Sequence, residues 1–568
     1  MVTETKEIDI KGTTIVEERP PLGLGDARQA LPEKLAAPVS SAIVVEKPAP
    51  NPPSAEPWAG DPHRWIILVA VLTGAFLELL DTTSVNVALR QIGGNLGATQ
   101  DEIGWVATGY ILSNVVVLPM TAWLSSLFGR RRYLTWSILL FTAASIMCGT
   151  SQTLGELVFW RVLQGAGGAA LLSTAQATLR EVFPLEQQGM VQALYTVVVV
   201  IGPTLGPAFG GIVTDNYSWQ CIFFLKSPLG FIAAALVWRF LKDSAHKQAT
   251  AKVDWQGILM LTVGLGSLQY VLEEGERYDW FDDTTITRLA IIAAISLTAF
   301  VAWELSPRNS QPVVNLRVLR NKDLTAGTLL LLVGGFGIYG GTFILPIFAQ
   351  GILGFTATNT GLMFLPGGVA TVVGTMICGR LLNGAKPIMK PMPLIVAGMI
   401  AFSISQWMLG HLTVESGQGE IVLMLMLRGG GLGFVLSPIT MAALGTLKGV
   451  EISQGAGLTN LARQLGGSFG IALINTYVVD QTAQHRANLV QYVFSGNPIA
   501  AARHAALTAH MVTYGYDPST AQAAATAAVD HAVETQSLMM AYNDAFMFIA
   551  FAFTLSIPLA FLFVRKKS

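Results

Sequence analysis

Charged side chains lie inside several of the most apolar stretches of this sequence. They are Glu78, Asp81, Arg161, Lys226, Arg428 and Arg463. A charge at the centre of a bilayer costs about 2.5–3.5 kcal/mol on insertion scales. We therefore expect these side chains to face a polar interior or one another, where they could carry protons or bind a charged ligand.

Glu78 and Asp81 share one face of a helix, because residues three apart are neighbours on a helix surface. Two carboxylates this close in a medium of low dielectric constant do not both ionise easily. Such a pair is suited to take up a proton on one side of a membrane and to release it on the other. The alternative is an ion pair with Arg161 that only holds helices together. We assign proton coupling to Asp81 first, with Glu78 and Arg161 as its partners.

A run of glycines and prolines interrupts a later apolar stretch. It comprises Gly202, Pro203, Gly206, Pro207, Gly210 and Gly211. Proline removes a backbone donor and bends a helix, whereas glycine lets a neighbouring backbone approach closely. Close static packing would need the glycines but not both prolines. The run therefore predicts a helix that changes its shape or packing between two states.

A basic cluster follows the second apolar stretch, where Gly129 precedes Arg130, Arg131 and Arg132. The cluster is a topology signal, and it could also bind acidic groups or helix C-termini as a gate on the cytoplasmic face. Other polar and aromatic side chains within apolar stretches are candidates for lining a substrate cavity. These are Lys226, Tyr110, Asn114, Gln164, Gln269, Asn460 and Arg463.

The composition shows which kind of element must position these residues. The chain has 568 residues, of which 52% are hydrophobic and 12% charged, whereas a soluble domain carries about 25% charged residues. The apolar residues come in blocks of about 20, long enough to cross a hydrocarbon core of about 30 Å as helices. The sequence thus predicts an all-α polytopic membrane protein. A net charge of −1 gives no reason to expect nucleic acid as a partner.

Fourteen candidate spans begin near Trp65, and an even number places both termini on one side of the membrane. If the termini are cytoplasmic, the loops and C-terminal end on that side hold 19 basic residues against five opposite. The positive-inside rule favours this orientation. Arg161 in span 4 and Arg428 in span 12 both precede glycine runs. That offset of eight spans is what two six-helix halves separated by a two-helix insert would produce.

This repeat predicts how the chain is divided. Residues 1–62, rich in proline and charge, are expected to form a disordered cytoplasmic tail. Residues 63–245 are the N-terminal six-helix bundle, 246–310 the two-helix insert and 311–568 the C-terminal six-helix bundle. Residues 480–540 form a long periplasmic loop with one or two short helices.

Several functions are excluded by what the sequence lacks. Cys148, Cys221 and Cys378 lie far apart without ligand spacing, so we expect buried core residues and no metal site. No phosphate-binding G-x-x-x-x-G-K-[ST] loop is present, which argues against direct use of ATP. No cluster of acids, histidines or cysteines beside a span indicates a membrane enzyme. We expect no enzymatic activity and no cofactor, with the proton gradient as the energy source.

The motifs together resemble those of one transporter family. The segment 80–89, LDTTSVNVAL, resembles the first-helix signature of the fourteen-span drug:proton antiporters of the major facilitator superfamily. The segment 157–170 looks like the fourth-helix motif of that superfamily, and 202–211 is similar to its antiporter motif. The resemblance covers roughly residues 65–565. The long loop and the last span most resemble those of the EmrB-type branch.

The resemblance implies a major facilitator fold and specific roles for matching residues. Asp81 matches the first-helix acid, and Arg161 matches an arginine thought to take part in proton transfer. Three positions depart from the pattern: Ser126 replaces an acid, Arg90 replaces a proline, and Lys226 stands where asparagine is more common. Lys226 could neutralise a carboxylate or attract an anionic substrate.

The function implied by the resemblance is proton-coupled efflux of toxic compounds by alternating access. Its setting is the bacterial inner membrane, with both termini in the cytoplasm, and its substrates are lipophilic small molecules. Members of the EmrB-type branch commonly work with a periplasmic adaptor and an outer-membrane channel, which are therefore implied partners. An exporter dedicated to one endogenous metabolite, organic acid or siderophore is the alternative.

Overall fold

The secondary structure of the described residues is entirely helical. The computed structural model describes residues 61–243, 253–309, 312–382, 388–448, 450–494 and 496–563. The expected tail, 1–62, thus lies almost wholly outside the described residues. The side chain of Arg90 also lies outside what is described.

Fourteen long helical segments follow one another in the described part of the chain. The first six are α1 Arg64–Leu96, α2 Trp105–Phe128, α3 Arg130–Thr150, α4 Leu154–Val182, α5 Gln188–Asn216 and α6 Trp219–Phe240. The next two are α7 Trp255–Glu274 and α8 Thr284–Leu305. The last six are α9 Lys322–Gly351, α10 Ala357–Leu382, α11 Pro391–Leu409, α12 Gln418–Gly445, α13 Val450–Val490 and α14 Pro518–Ser556.

Shorter elements interrupt or join these helices. A 3₁₀ turn, Leu118–Met120, divides α2 into two α-helical parts. The remaining short helices are Gln100–Ile103, Leu185–Gln187, Glu276–Tyr278, Trp280–Asp282, Leu316–Arg320, Pro498–Thr513 and Ile557–Phe563.

Twelve of the long segments are long and apolar enough to cross a membrane, if the bent α5 counts as one. The other two, α4 and α13, are 29 and 41 residues long. Buried polar residues such as Arg161 in α4 and Arg463 in α13 lower the hydropathy of these helices. The fold is that of a multi-pass membrane protein, but length and hydropathy do not by themselves fix the number of spans at fourteen.

The packing of the first six helices recurs eight helices later. In the N-terminal bundle, α1 packs on α5, α2 on α4, and α3 on both α4 and α6. In the C-terminal bundle, α9 packs on α13, α10 on α12, and α11 on both α12 and α14. Helices α7 and α8 pack on each other, and α7 also touches α2 and α13. The two bundles meet mainly where α5 lies against α10 and where α4 lies against α13.

Local capping fixes several helix ends. Gly97 ends α1 in the left-handed region, with φ of 65°, a conformation that glycine adopts without steric cost. Thr99 and Glu102 then form a capping box at the start of the helix Gln100–Ile103. Donors from Thr99 lower the pKa of Glu102. Asp283 accepts hydrogen bonds from the amides of Thr285 and Ile286 to begin α8.

The segment 480–540 is more regular than a loop with one or two short helices. Helix α13 continues to Val490 and α14 begins at Pro518, with the helix Pro498–Thr513 between them. Arg486 and Asp530 form an ion pair of 2.7 Å between the two long helices, and His485 contacts Asp544 at 2.8 Å. Most of this segment therefore consists of the ends of α13 and α14.

Candidate functional site

Asp81 lies at the junction of three helices in the N-terminal bundle. Its carboxylate, on α1, is fully buried and forms ion pairs with Arg161 of α4 and with Lys226 of α6. One negative charge is thus shared by two cations from different helices. Because an unpaired buried charge is very costly, this carboxylate holds α4 and α6 against α1.

Arg161 is fixed by contacts besides that ion pair. Its Nε donates to the carbonyl oxygen of Val106 at 2.9 Å, and its Nη1 donates to Oε1 of Gln164 at 2.8 Å. The guanidinium carbon lies 4.3 Å from the centre of the Tyr110 ring. Gln164 and Tyr110, predicted as cavity residues, therefore lie against the arginine that pairs with Asp81.

The structure bears on the two roles left open for Lys226. Its ammonium group is buried and forms an ion pair with Asp81. The Nζ atom also lies 5.3 Å from the centre of the Phe223 ring, within the range of a cation–π contact. Neutralising a carboxylate is the role that this geometry favours. An anionic substrate would have to displace Asp81 to reach the same ammonium.

We expect Lys226→Asn to weaken the export of cations, neutral compounds and organic acids to the same extent. The reason is that the ammonium serves the shared Asp81 site and not one class of substrate. Susceptibility of a deletion strain carrying the variant, tested against a panel of drugs and organic acids, measures this. Selective loss of resistance to organic acids would show instead that Lys226 contacts the substrate.

Glu78 lies one helical turn from Asp81 but in a different environment. Its Oε1 accepts a hydrogen bond of 3.3 Å from Nδ2 of Asn114. Its Oε2 is buried and, among the described residues, has no hydrogen-bond partner, and the Tyr110 hydroxyl lies nearby. A Cβ atom at Gly168 would lie 2.8 Å from that hydroxyl and 3.3 Å from Cγ of Glu78, so a glycine is needed to accommodate both side chains.

A polar connection leads from Glu78 to the C-terminal bundle. Asn114 donates to Glu78 and accepts a hydrogen bond of 3.2 Å from Nε2 of Gln464 on α13. Gln464 was not among the predicted residues. In the sequence, Gln464 is distinguished only as a polar side chain next to Arg463 in an apolar stretch.

Asn460 and Arg463 belong to a second polar cluster between the bundles. Asn460 Nδ2 donates to Oε1 of Gln176 at 2.8 Å, and its Oδ1 accepts from the Tyr195 hydroxyl at 3.3 Å. Arg463 donates to Oδ1 of Asn460 at 3.1 Å and to the hydroxyl of Tyr339 at 2.9 Å. Gln176, Tyr195 and Tyr339 were missed because only the approach of α4, α5 and α9 to α13 brings them here.

The glycine run of α5 packs directly on the α1 segment that carries Asp81. A Cβ at Gly202 would lie 2.6 Å from Cβ of Leu79, while one at Gly206 would overlap Oγ1 of Thr83. A Cβ at Gly210 would lie 3.0 Å from Cα of Ser84. The glycines thus allow the two backbones to come together on both sides of the aspartate.

The prolines of the run coincide with a bend. The axis of α5 changes direction by 41° between the part ending at Pro203 and the part beginning at Leu205. Pro203 and Gly211 are buried, and Pro207 is half-buried. Proline removes an intrahelical hydrogen bond, which is the physical reason for a bend at this point.

The basic cluster joins the two bundles at one end of the molecule. Arg130 forms an ion pair with Glu181 of α4 and donates to Oγ of Ser453 on α13 at 2.9 Å. The backbone N–H of Arg131 donates to Asp243 at 3.0 Å, and Arg132 is exposed. Gly129 has φ of 86°, so the sharp change of direction between α2 and α3 requires a glycine.

Two other predicted features lie elsewhere in the fold. Gln269 of α7 donates to Oγ of Ser468 on α13 at 3.0 Å and to Glu273 at 3.1 Å, so it lies where the insert meets the C-terminal bundle. Ser126, which replaces the usual acid, donates to the carbonyl oxygen of Trp123 within its own helix at 2.7 Å.

Within the described ranges, no three His, Cys, Asp or Glu side chains are grouped so as to hold a metal.

Comparison with known proteins finds one family over most of the chain. The sequence profile named Major Facilitator Superfamily matches residues 71–471. The Multidrug export protein EmrB of Escherichia coli K12 is 29% identical over 483 residues, which are 85% of this chain and 91% of that protein. The Fatty acid resistance protein FarB of Neisseria gonorrhoeae is 29% identical over 507 residues, 89% of this chain and 97% of that protein.

Solved structures show the same fold at much lower sequence identity. The human organic anion transporter MFSD10 has a TM-score of 0.52 at 12% identity, with 87% of this chain and all of that chain covered. A bacterial homologue of the lysosomal transporter Spinster also has a TM-score of 0.52 at 12% identity, with 89% of this chain and 99% of that chain covered.

Proposed function

This chain belongs to the major facilitator superfamily, and from that premise we propose that it exports lipophilic small molecules in exchange for protons by alternating access. The relatives support export of several compounds, since one carries the name multidrug export protein and another the name fatty acid resistance protein. Both relatives are matched over most of their length.

The observation that carries this proposal is the buried carboxylate of Asp81, shared between Arg161 and Lys226. A proton on Asp81 would remove the negative charge that holds both cations, leaving two like charges close together. The three helices would then favour another arrangement. A bound proton can drive a conformational change only through such a difference in interaction between two states.

The α5 glycine run offers the route from this site to the other bundle. Gly202 and Gly206 lie against Leu79 and Thr83 of α1, on either side of Asp81. The same helix also contacts α10: a Cβ at Gly361 would lie 2.8 Å from Cβ of Ala208, and one at Gly379 would lie 2.9 Å from the backbone oxygen of Gly189. Movement of α1 relative to α4 and α6 would therefore be passed through α5 to α10.

Glu78 is proposed as the second acid of the same site. Asn114 and Gln464 link it to the C-terminal bundle, whereas the described ion-pair partners of Asp81 belong to the N-terminal bundle. Protonation of Glu78 would weaken the hydrogen bond from Asn114, since a carboxylate accepts more strongly than a carboxylic acid. The two acids would thus respond to the proton in different parts of the transporter.

The setting of the protein follows the same reasoning. We propose that the proton gradient is its energy source, without a cofactor. The excess of basic residues in one set of loops supports cytoplasmic termini in the inner membrane. Resemblance to the EmrB-type branch supports a periplasmic adaptor and an outer-membrane channel as partners. In this orientation, the contact between Arg130 and Ser453 would join the two bundles at their cytoplasmic ends.

The test is transport by the purified chain in liposomes, with ethidium as the probe. We expect ethidium to accumulate against its gradient when protons flow in the opposite direction, and a protonophore to abolish this accumulation. Liposomes without protein provide the background rate. Equal ethidium movement with and without a pH difference and membrane voltage would contradict the proposal.

A further inference from the structure

Arg428 of α12 is a buried cation without an acidic partner in the described part of the chain. Its side chain is 4% exposed, and none of the ion pairs between described residues includes it. Its Nη2 donates to the carbonyl oxygen of Ile338 at 3.1 Å and to Oγ1 of Thr342 at 2.8 Å. A guanidinium stays charged in proteins, so a full positive charge remains inside the C-terminal bundle.

The other half of the repeat shows what this arginine lacks. Arg161 and Arg428 both precede glycine runs in helices that are eight apart, and both contact the first helix of their own bundle. In the N-terminal bundle that contact is the carboxylate of Asp81. In the C-terminal bundle it is the hydroxyl of Thr342, which carries no charge.

A second polar side chain converges on the same point. Gln406 of α11 is fully buried, and its amide nitrogen and oxygen have no hydrogen-bond partner among the described residues. A Cβ at Gly341 would lie 2.9 Å from Nε2 of Gln406 and 3.0 Å from Nη2 of Arg428. An amide donor and a guanidinium therefore meet beside Gly341. The Nε of Arg428 is likewise buried and unpartnered within the described residues.

Arg428 and Thr342, but not Gln406, line a cavity between the two bundles. The cavity has a volume of about 40 Å³ and is lined by Arg428, Thr342 and Thr371 together with apolar side chains such as Pro203, Phe364 and Leu425. It is much smaller than a pocket for a whole drug-sized molecule, which is about 300–1,000 Å³. Its volume suits one small polar group, with apolar surface beside it.

We propose that this cavity binds the carboxylate of a lipophilic monocarboxylic acid. Arg428 supplies the charge, and the Thr342 hydroxyl supplies a hydrogen-bond donor. The cavity holds the carboxylate group, and the apolar tail would extend from it between the side chains of α5, α10 and α12. This proposal rests on the proposed export function and specifies one substrate class for it. Pro203 of the N-terminal bundle and Arg428 of the C-terminal bundle both line the cavity, so the acid would contact both bundles at once.

The test compares binding of radiolabelled decanoate, by scintillation proximity, to the full-length protein and its variants in lipid nanodiscs. Arg428→Gln removes the charge, whereas Thr342→Asp supplies an internal carboxylate that pairs with Arg428. Each change should weaken decanoate binding by about 10- to 100-fold, as expected for the loss of a charge-assisted interaction. Thr342→Asp should not lower the melting temperature, because it neutralises a buried charge. Arg503→Gln, an exposed site on the helix Pro498–Thr513, is the matched control and should bind like wild type.

Two further arms separate this site from the export function and identify the ligand. In Thr342→Asp, decanoate binding should fall by a larger factor than ethidium export, because ethidium has no carboxylate. Acetate should compete poorly with decanoate because it lacks the apolar tail, and equal competition by acetate would overturn the proposal that the site takes a lipophilic acid. The proposal is overturned if wild type does not bind decanoate or if Thr342→Asp binds it as tightly as wild type. Ethidium export by wild type in that case would leave the proposed function intact.

Discussion

Replacing Asp81 with asparagine should reduce proton-driven ethidium export by at least about 100-fold. Removing one partner of a buried ion pair costs about 3–5 kcal/mol, and each 1.4 kcal/mol is a factor of about 10. Here the change leaves both Arg161 and Lys226 without their shared carboxylate. Transport in liposomes under a fixed pH gradient measures the effect.

A second variant separates lost coupling from lost folding. Asp81→Asn combined with Lys226→Met removes one of the two cations that Asp81→Asn leaves unpaired. We expect the double variant to regain much of the melting temperature lost in the single variant, but not export. Asp81→Glu should retain part of the coupled activity because it keeps a titratable group. An Asp81→Asn protein that still accumulates ethidium and still loses it with a protonophore would show that the proton is carried elsewhere.

Adding a single methyl group at Gly206 should damage both stability and transport. The Cβ of Gly206→Ala would overlap Oγ1 of Thr83 and lie 2.8 Å from Cβ of Thr83 and 3.1 Å from the amide nitrogen of Ser84. Overpacking of this kind costs about 1–3 kcal/mol. It also forces α5 away from the α1 segment that carries Asp81. We expect a lower melting temperature and at least about a tenfold loss of ethidium export, because 1.4 kcal/mol is a factor of about 10.

Two controls make the result at Gly206 specific. Gly94→Ala lies on α1, where no atom falls within 4 Å of the new Cβ, so this change should be neutral or slightly stabilising. Thr83→Ala removes the hydroxyl that Gly206→Ala would meet. The double variant should therefore recover stability beyond the sum of the two single changes. If Gly206→Ala transports like wild type, the close packing of α1 and α5 is not needed for coupling.

For the two acids, Glu78 and Asp81, the sequence predicts their location in the fold but not their partners. The cost of charge inside a bilayer predicts that Asp81 and Arg161 face the interior, and an ion pair between them was one of two predicted alternatives. The spacing of Glu78 and Asp81 predicts a shared helix face. It does not predict that one acid meets two cations while the other meets an amide, because those partners come from α2, α4 and α6.

The C-terminal half shows the opposite case. The sequence identifies Arg428 as a charge within a span, but nothing in it distinguishes Gln406 from any other amide in an apolar helix. Both matter because they lack partners: no described carboxylate pairs with Arg428, and the amide of Gln406 has no described hydrogen-bond partner. Only the packing of α9, α11 and α12 shows that a hydroxyl and a glycine, and no described carboxylate, lie beside the guanidinium.

The sequence by itself determined the class of the protein, the positions of its helices and the family to which it belongs. A bilayer cannot satisfy backbone polar groups, so long apolar segments must be helical, and the few charges they carry must lie inside. The tertiary structure decided which charges pair, how α13 and α14 fill the segment 480–540, and where a cation is left without an acid. Those outcomes depend on the rotation and depth of each helix relative to its neighbours, which are set by contacts between residues far apart in the chain.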